Sequence, residues 1–245
     1  MRSSRPRFTV LVALMLSFAC IGIVGCSRIP GRPGSEPEVA RPEEVLAFPT
    51  LYKENCAACH GESGRNGAAI SLANPVYLAV AGEETLQRAI AKGVPGSLMP
   101  PFAKSSGGML TDRQIAALAQ GILQQWGKPN LLIGQNPPPY LAALPSNVER
   151  GQQAFTTFCA RCHGATGGGG SGKPHLGSIV DASYLALISD QDLRSITIAG
   201  RPDEGMPDWR SDATQPLTDQ QITDIIAWLA SKRTANPGQP YFTHP

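Results

Sequence analysis

The stretch Cys56-Ala57-Ala58-Cys59-His60 recurs as Cys159-Ala160-Arg161-Cys162-His163, and the reading of this pair decides the rest of the 245-residue chain. Two thiols three residues apart on one helical turn can each add to a vinyl group of a haem. The adjacent His then faces the iron, and its second ring nitrogen needs an acceptor that fixes the ring. Three other uses of these residues compete. A thioredoxin-type redox pair needs a strand–helix–strand setting, and no strand-like run flanks either motif. Four cysteines could form two structural disulfides in an exported protein, or join two histidines around zinc. None of these requires a His directly after the second Cys, twice. The pattern therefore predicts two covalent haem c groups, one on Cys56 and Cys59, the other on Cys159 and Cys162. His60 and His163 are the expected iron ligands.

Working outward, the first motif maps on the second with an offset of 103 residues. From Asn74 the offset becomes 107, because the second copy carries four extra residues around 166–173. Tyr77-Leu78-Ala79 then pairs with Tyr184-Leu185-Ala186, Gly93 with Gly200 and Pro95 with Pro202. Met99-Pro100 pairs with Met206-Pro207, and Leu110-Thr111-Asp112 with Leu217-Thr218-Asp219. The period is too long for a solenoid unit, so the chain holds two copies of one domain. A Met is commonly an adaptable core filler. A Met-Pro matched in both copies, each after a Gly/Pro-rich stretch, is better read as a pair of iron ligands, Met99 and Met206. Met109 is the rival in the first copy, but its counterpart is Pro216.

These features resemble tandem class I c-type cytochrome domains, that is, a dihaem cytochrome c. The resemblance covers about residues 45–128 and 148–233. It implies an all-α fold, with a Met ligand in a loop before the C-terminal helix, where Met99 and Met206 lie. Local signals agree. Leu110-Thr111-x-x-Gln114-Ile115 and Leu217-Thr218-x-x-Gln221-Ile222 each combine a capping box with a hydrophobic staple. Each is followed by an apolar stripe: Ile115, Leu118, Ala119 and Ile122 in the first copy, Ile222, Ile225, Ile226 and Leu229 in the second. Middle helices are expected at about 83–92 and 190–199, each ending at a glycine. Domains of about 80 residues have marginal cores, and haem would supply apolar volume that a 6% aromatic content does not.

The copies differ in two places. In the family, the first and last helices cross with a Gly against an aromatic ring. The second copy has Gly151 and Trp228 there; the same columns of the first hold Phe48 and Gly121, a volume-conserving exchange. Many relatives of this type also carry a Pro after the haem motif, whose carbonyl accepts the proximal His proton. The second copy has Pro174; the first, in Gly67-Ala68-Ala69-Ile70, has none. Unequal potentials follow as an expectation. His175 reads as a partly exposed loop residue and His244 as a solvated one.

The N-terminus, Met1 to Arg7, is basic, and the uncharged run from Phe8 to Gly25 follows. This is an export signal. Its end, Ile23-Val24-Gly25-Cys26-Ser27, resembles a bacterial lipoprotein signal with Cys26 lipidated; an uncleaved membrane helix is the alternative. Removing residues 1–25 takes three Arg and no acid, leaving a net charge of −1. With no basic block, nucleic acid is not an expected partner. The resulting division is a signal peptide at 1–25, a lipidated Cys and tether at 26–44, domains at 45–128 and 148–233, a Pro-rich linker at 129–147 that sets their separation, and a polar tail at 234–245.

His/Met ligation leaves no open iron position and favours electron transfer over bond-making. The expected function is a membrane-anchored, extracytoplasmic carrier of single electrons. It would work between a donor such as a quinol-oxidising complex or a dehydrogenase and an acceptor such as a terminal oxidase, with no catalytic residue of its own. A dihaem peroxidase with one open haem site, or a fixed cytochrome subunit of a larger oxidoreductase, are the alternatives.

Overall fold

The structure is a computed structural model, and it describes residues 40–169, 176–210 and 215–235. Cys26 with its signal and most of the tether, Pro174, His175 and His244 lie outside the described residues.

Both copies are built from helices. The first has α1 (Phe48–Asn55), α2 (Ala57–His60), α3 (Pro75–Lys92) and α4 (Asp112–Trp126). The second has α5 (Val148–Phe158), α6 (Ala160–His163), α7 (Ala182–Leu187), α8 (Asp190–Ala199) and α9 (Asp219–Ala230). Short 3-10 turns at Pro42–Glu44, Lys104–Ser106 and Pro202–Glu204 complete the helical content. Among the described residues there are no strands, only two isolated bridges, Ala103 with Leu110 and Arg201 with Met206.

The last helix of each copy starts as its sequence dictates. Thr111 Oγ1 accepts the Gln114 N–H at 3.3 Å, and Gln114 Oε1 accepts the Thr111 N–H at 3.0 Å. Thr218 and Gln221 repeat the reciprocal pair at 3.2 and 2.9 Å. Both apolar stripes are buried along their whole length. Phe48 opens α1 with Pro49 in its first turn, where the missing N–H has no intrahelical partner to lose.

The helix crossings carry the exchanged pair. A Cβ on Gly121 would lie 2.2 Å from the Phe48 ring, so ring and glycine are in direct contact. At the other crossing a Cβ on Gly151 would lie 2.0 Å from the Asp224 carbonyl oxygen and 2.9 Å from Trp228 Cβ. Here the backbones of α5 and α9 touch, and Trp228 packs on Phe155 with ring centroids 4.4 Å apart. In the first copy Phe48, Tyr52 and Trp126 form a three-ring cluster.

Two features depart from the sequence expectation. The middle helix of the first copy starts at Pro75, well before residue 83, and it is kinked where Gly82 takes φ 70°. Ser189 occupies the matching position in the second copy, where it caps α8 and separates it from α7. The linker, moreover, is not a free spacer. The described residues from Pro42 on form one compact unit. The buried Arg194 donates to the carbonyls of Pro139 (2.8 Å) and Tyr140 (3.1 Å), and Gln191 to that of Tyr140 (2.9 Å). Gln220 holds the Pro145 carbonyl at 2.9 Å. Helices α3 and α8 touch directly. Contact between the copies, with the linker bound along the second, sets their separation.

Candidate functional site

Each Cys-x-x-Cys-His motif lies on a single helical turn. Cys56 ends α1 and caps α2, and its carbonyl accepts the N–H of Cys59 (3.2 Å) and His60 (3.0 Å). Cys159 does the same for Cys162 (3.1 Å) and His163 (3.0 Å). None of these four cysteines is paired in a disulfide. Burial, with the neighbouring cysteine second, pushes the Cys56 and Cys159 thiols up to about 12. Among the described residues no three His, Cys, Asp or Glu side chains converge as a metal cage would require.

His60 is buried, and its Nδ1 lies 2.8 Å from the Ile70 carbonyl oxygen. That bond fixes the ring with the proton on Nδ1 and leaves the Nε2 lone pair for a metal. Burial holds the imidazole pKa below its usual range, against the opposing effects of the Ile70 carbonyl and Asp192. The neutral ring is the ligating form. The first copy thus obtains its acceptor without a proline. The carbonyl chosen could not be read from sequence, since every residue has one. In the second copy, burial likewise lowers the His163 pKa. Its Nδ1 is buried without a hydrogen-bond partner among the described residues; Pro174, the expected acceptor, lies outside them.

The two methionine loops share one construction. After Met99, Phe102 donates its N–H back to the Ile90 carbonyl at the end of α3 (3.0 Å), and its own carbonyl accepts from Leu110 (2.8 Å). After Met206, Trp209 donates to Ile198 near the end of α8 (2.9 Å) and accepts from Leu217 (2.8 Å). The glycine ending each preceding helix has a positive φ, 70° at Gly93 and 67° at Gly200. A Cβ on Gly93 would strike the Met99 carbonyl oxygen at 2.6 Å, and one on Gly200 the Pro207 carbonyl oxygen at 2.5 Å. Both glycines are therefore required for the loop to close. Met99 is half-buried against the core of its copy. Met206 is half-buried and exchanges two backbone bonds with Arg201 (2.9 and 3.0 Å). Met109 is 81% exposed.

The donor set fits a covalently held haem: two cysteines on one turn, an imidazole anchored through Nδ1, and a methionine in a clamped loop. A family model described as "Cytochrome c" matches residues 148–232, and one described as "Cytochrome C oxidase, cbb3-type, subunit III" matches residues 44–120. The chain carries two tandem cytochrome c domains. Two such domains imply two covalently bound haem c groups. It is similar to a cbb3-type cytochrome c oxidase subunit FixP of Sinorhizobium medicae, 30% identical over 193 residues that cover 68% of this chain and 58% of that protein. It is also similar to a cbb3-type cytochrome c oxidase subunit CcoP of Azospirillum, 30% identical over 54% of this chain and 45% of that protein. A cytochrome bc1 complex cytochrome c subunit of Corynebacterium efficiens is 26% identical over 77% of this chain and 63% of that protein. The chain thus spans about half to two thirds of the length of these relatives. Among the described residues of this cytochrome, no helix is long and apolar enough to cross a membrane.

Proposed function

We propose that this dihaem cytochrome is the electron-carrying subunit of a respiratory oxidoreductase system, passing single electrons between a quinol-oxidising complex or dehydrogenase and a terminal oxidase. Cys56 and Cys59 hold one haem and Cys159 and Cys162 the other. His60 with Met99, and His163 with Met206, are the iron ligands. When bound, haem iron supplies a one-electron couple between its ferrous and ferric states. The protein's part is to keep that change cheap. The Ile70 carbonyl fixes the His60 ring, and the clamped loops fix the backbone around each methionine, which limits ligand reorganisation. A thioether with an imidazole raises the potential and leaves no position for a substrate, which suits a carrier. Lipidation at Cys26, with the folded part outside the cytoplasm, would keep both domains at a membrane surface.

The observation that carries this reading is the duplicate construction of the methionine loops, the same clamp and the same required glycine in both copies. The relatives' membership of oxidase and bc1 assemblies supports the choice of partners. The test is to add the haem-loaded protein to membranes that oxidise quinol. Reduction of both haems by quinol, followed by reoxidation when a terminal oxidase and oxygen are supplied, is the expected result. Peroxide turnover by the isolated protein, with no reduction by membranes, would contradict it.

A further inference from the structure

Asn74 has two roles. Its Oδ1 caps α3, accepting the N–H groups of Val76 (2.9 Å) and Tyr77 (3.2 Å). Its Nδ2 reaches the other copy and donates to the carbonyls of Ala199 (2.9 Å) and Gly200 (3.1 Å). The residue is 4% exposed, so water does not compete for these bonds. Asp181 stands at the matching position of the second copy. It caps Ser183 and Tyr184 through Oδ1 but is exposed and has no N–H to give. Capping therefore needs only the oxygen, and the amide nitrogen of Asn74 serves the seam.

The carbonyls it grips are among the last of α8, which have no partner within the helix. Gly200 leads directly to Arg201, whose backbone is bonded both ways to Met206. On its own side, Asn74 ends the loop that contains Ile70, the carbonyl holding His60. A short run of backbone thus joins the His60 loop of one copy to the Met206 loop of the other through a single side chain. Around it, the buried Tyr77 lies close to Tyr140, which is also near Ser195 on α8. Arg194 and Gln191 hold the Tyr140 carbonyl from behind.

We infer that Asn74 is a positioning residue for the Met206 iron site, clamping its loop from the first copy. The inference rests on the proposed Met206 ligation. The test uses the full haem-loaded chain with Asn74→Asp and Asn74→Ser, both of which keep a cap oxygen and lose the amide NH2 that reaches Ala199 and Gly200. Asp181→Ser is the control at the matching helix start. Each haem's potential and the methionine–iron charge-transfer absorbance are recorded, with Met206→His to show which haem belongs to Met206. Both Asn74 variants are expected to lower the potential that Met206→His lowers, to weaken the charge-transfer band, and to leave the other potential in place. Asp181→Ser is expected to move neither. Unchanged potentials in both Asn74 variants, a shift confined to the other haem, or the same shift in Asp181→Ser would overturn the inference. If Met206→His itself moves no potential, the ligand assignment fails and the inference fails with it.

Discussion

Gly151→Ala is the sharpest test of how the second domain is packed. The added methyl would sit 2.0 Å from the Asp224 carbonyl oxygen, 2.6 Å from its carbon and 2.9 Å from Trp228 Cβ. Ordinary contact begins near 3.4 Å, so α5 and α9 would have to part by more than an ångström along their crossing. Nothing flexible absorbs this, because two of the three atoms are backbone. Overpacking of a tight core costs about 1–3 kcal/mol, occasionally more. Alanine returns about 1 kcal/mol through its helix propensity. Separation of the helices also stretches the Arg150–Asp224 ion pair, 2.8 Å long and buried at the carboxylate. A net loss of about 2 kcal/mol follows, or a fall in Tm of roughly 4–8 °C for a unit of this size. Gly121→Ala meets Phe48 Cδ2 (2.2 Å), Cγ (2.3 Å) and Cβ (2.8 Å), so α1 must shift there too, but no backbone carbonyl is struck and the loss should be smaller. Thermal melts of the two haem-loaded variants, followed by far-ultraviolet dichroism, decide the matter. A Gly151→Ala protein as stable as the parent, or less affected than Gly121→Ala, would refute the reasoning.

Burial raises the pKa of Asp224, but the Arg150 guanidinium, the Asn147 N–H and the Gln220 amide outweigh it and hold the carboxyl below its ordinary value. A folded pKa below the unfolded value of about 3.9 stabilises above that pH and is lost as pH falls through the folded pKa. Asp224→Asn should therefore flatten the acid limb of the stability curve below about pH 4, and an unchanged limb in acid titration would contradict this. Arg194→Met leaves the carbonyls of Pro139 and Tyr140 and the Asp219 carboxylate without their donor. Breaking such a buried pair costs about 3–5 kcal/mol, and cleavage near residue 140 in limited proteolysis should accelerate; an unchanged cleavage rate would show that Arg194 does not hold the linker. The two haems should titrate with distinct midpoint potentials, because His60 is held by Ile70 in a loop without proline while the matching loop of the second domain carries Pro174. A redox titration that fits one potential for both would remove this expectation.

What was legible in the sequence was what a repeat and a local pattern encode together. The Thr111 and Thr218 capping boxes, the two apolar stripes and the Gly–aromatic crossings each involve short-range spacing or a column matched between copies. The first half of α3 and the whole of α7 were missed, although Asn74-Pro75 and Asp181 are helix-start signals of ordinary form. The seam was not legible at all. Asn74 meets Ala199 across 125 residues, and nothing in an isolated Asn distinguishes a cap from a clamp. Arg194 reads as a surface charge, yet it is 2% exposed because its guanidinium satisfies linker carbonyls and Asp219 at once. The linker's composition suggested a spacer, and only the donors on α8 and α9 reveal it as a bound segment. The carbonyl that fixes His60 belongs to an aliphatic residue, Ile70, whose side chain says nothing of the role.

The account stands on both irons being closed by His and Met. Absorption spectra of the haem-loaded chain, oxidised and reduced, with and without carbon monoxide, test this most directly. Two low-spin haems per chain that do not respond to carbon monoxide are the predicted result. Rapid binding of carbon monoxide at either haem would mean an open position, displace Met99 or Met206 as a ligand, and contradict the carrier reading.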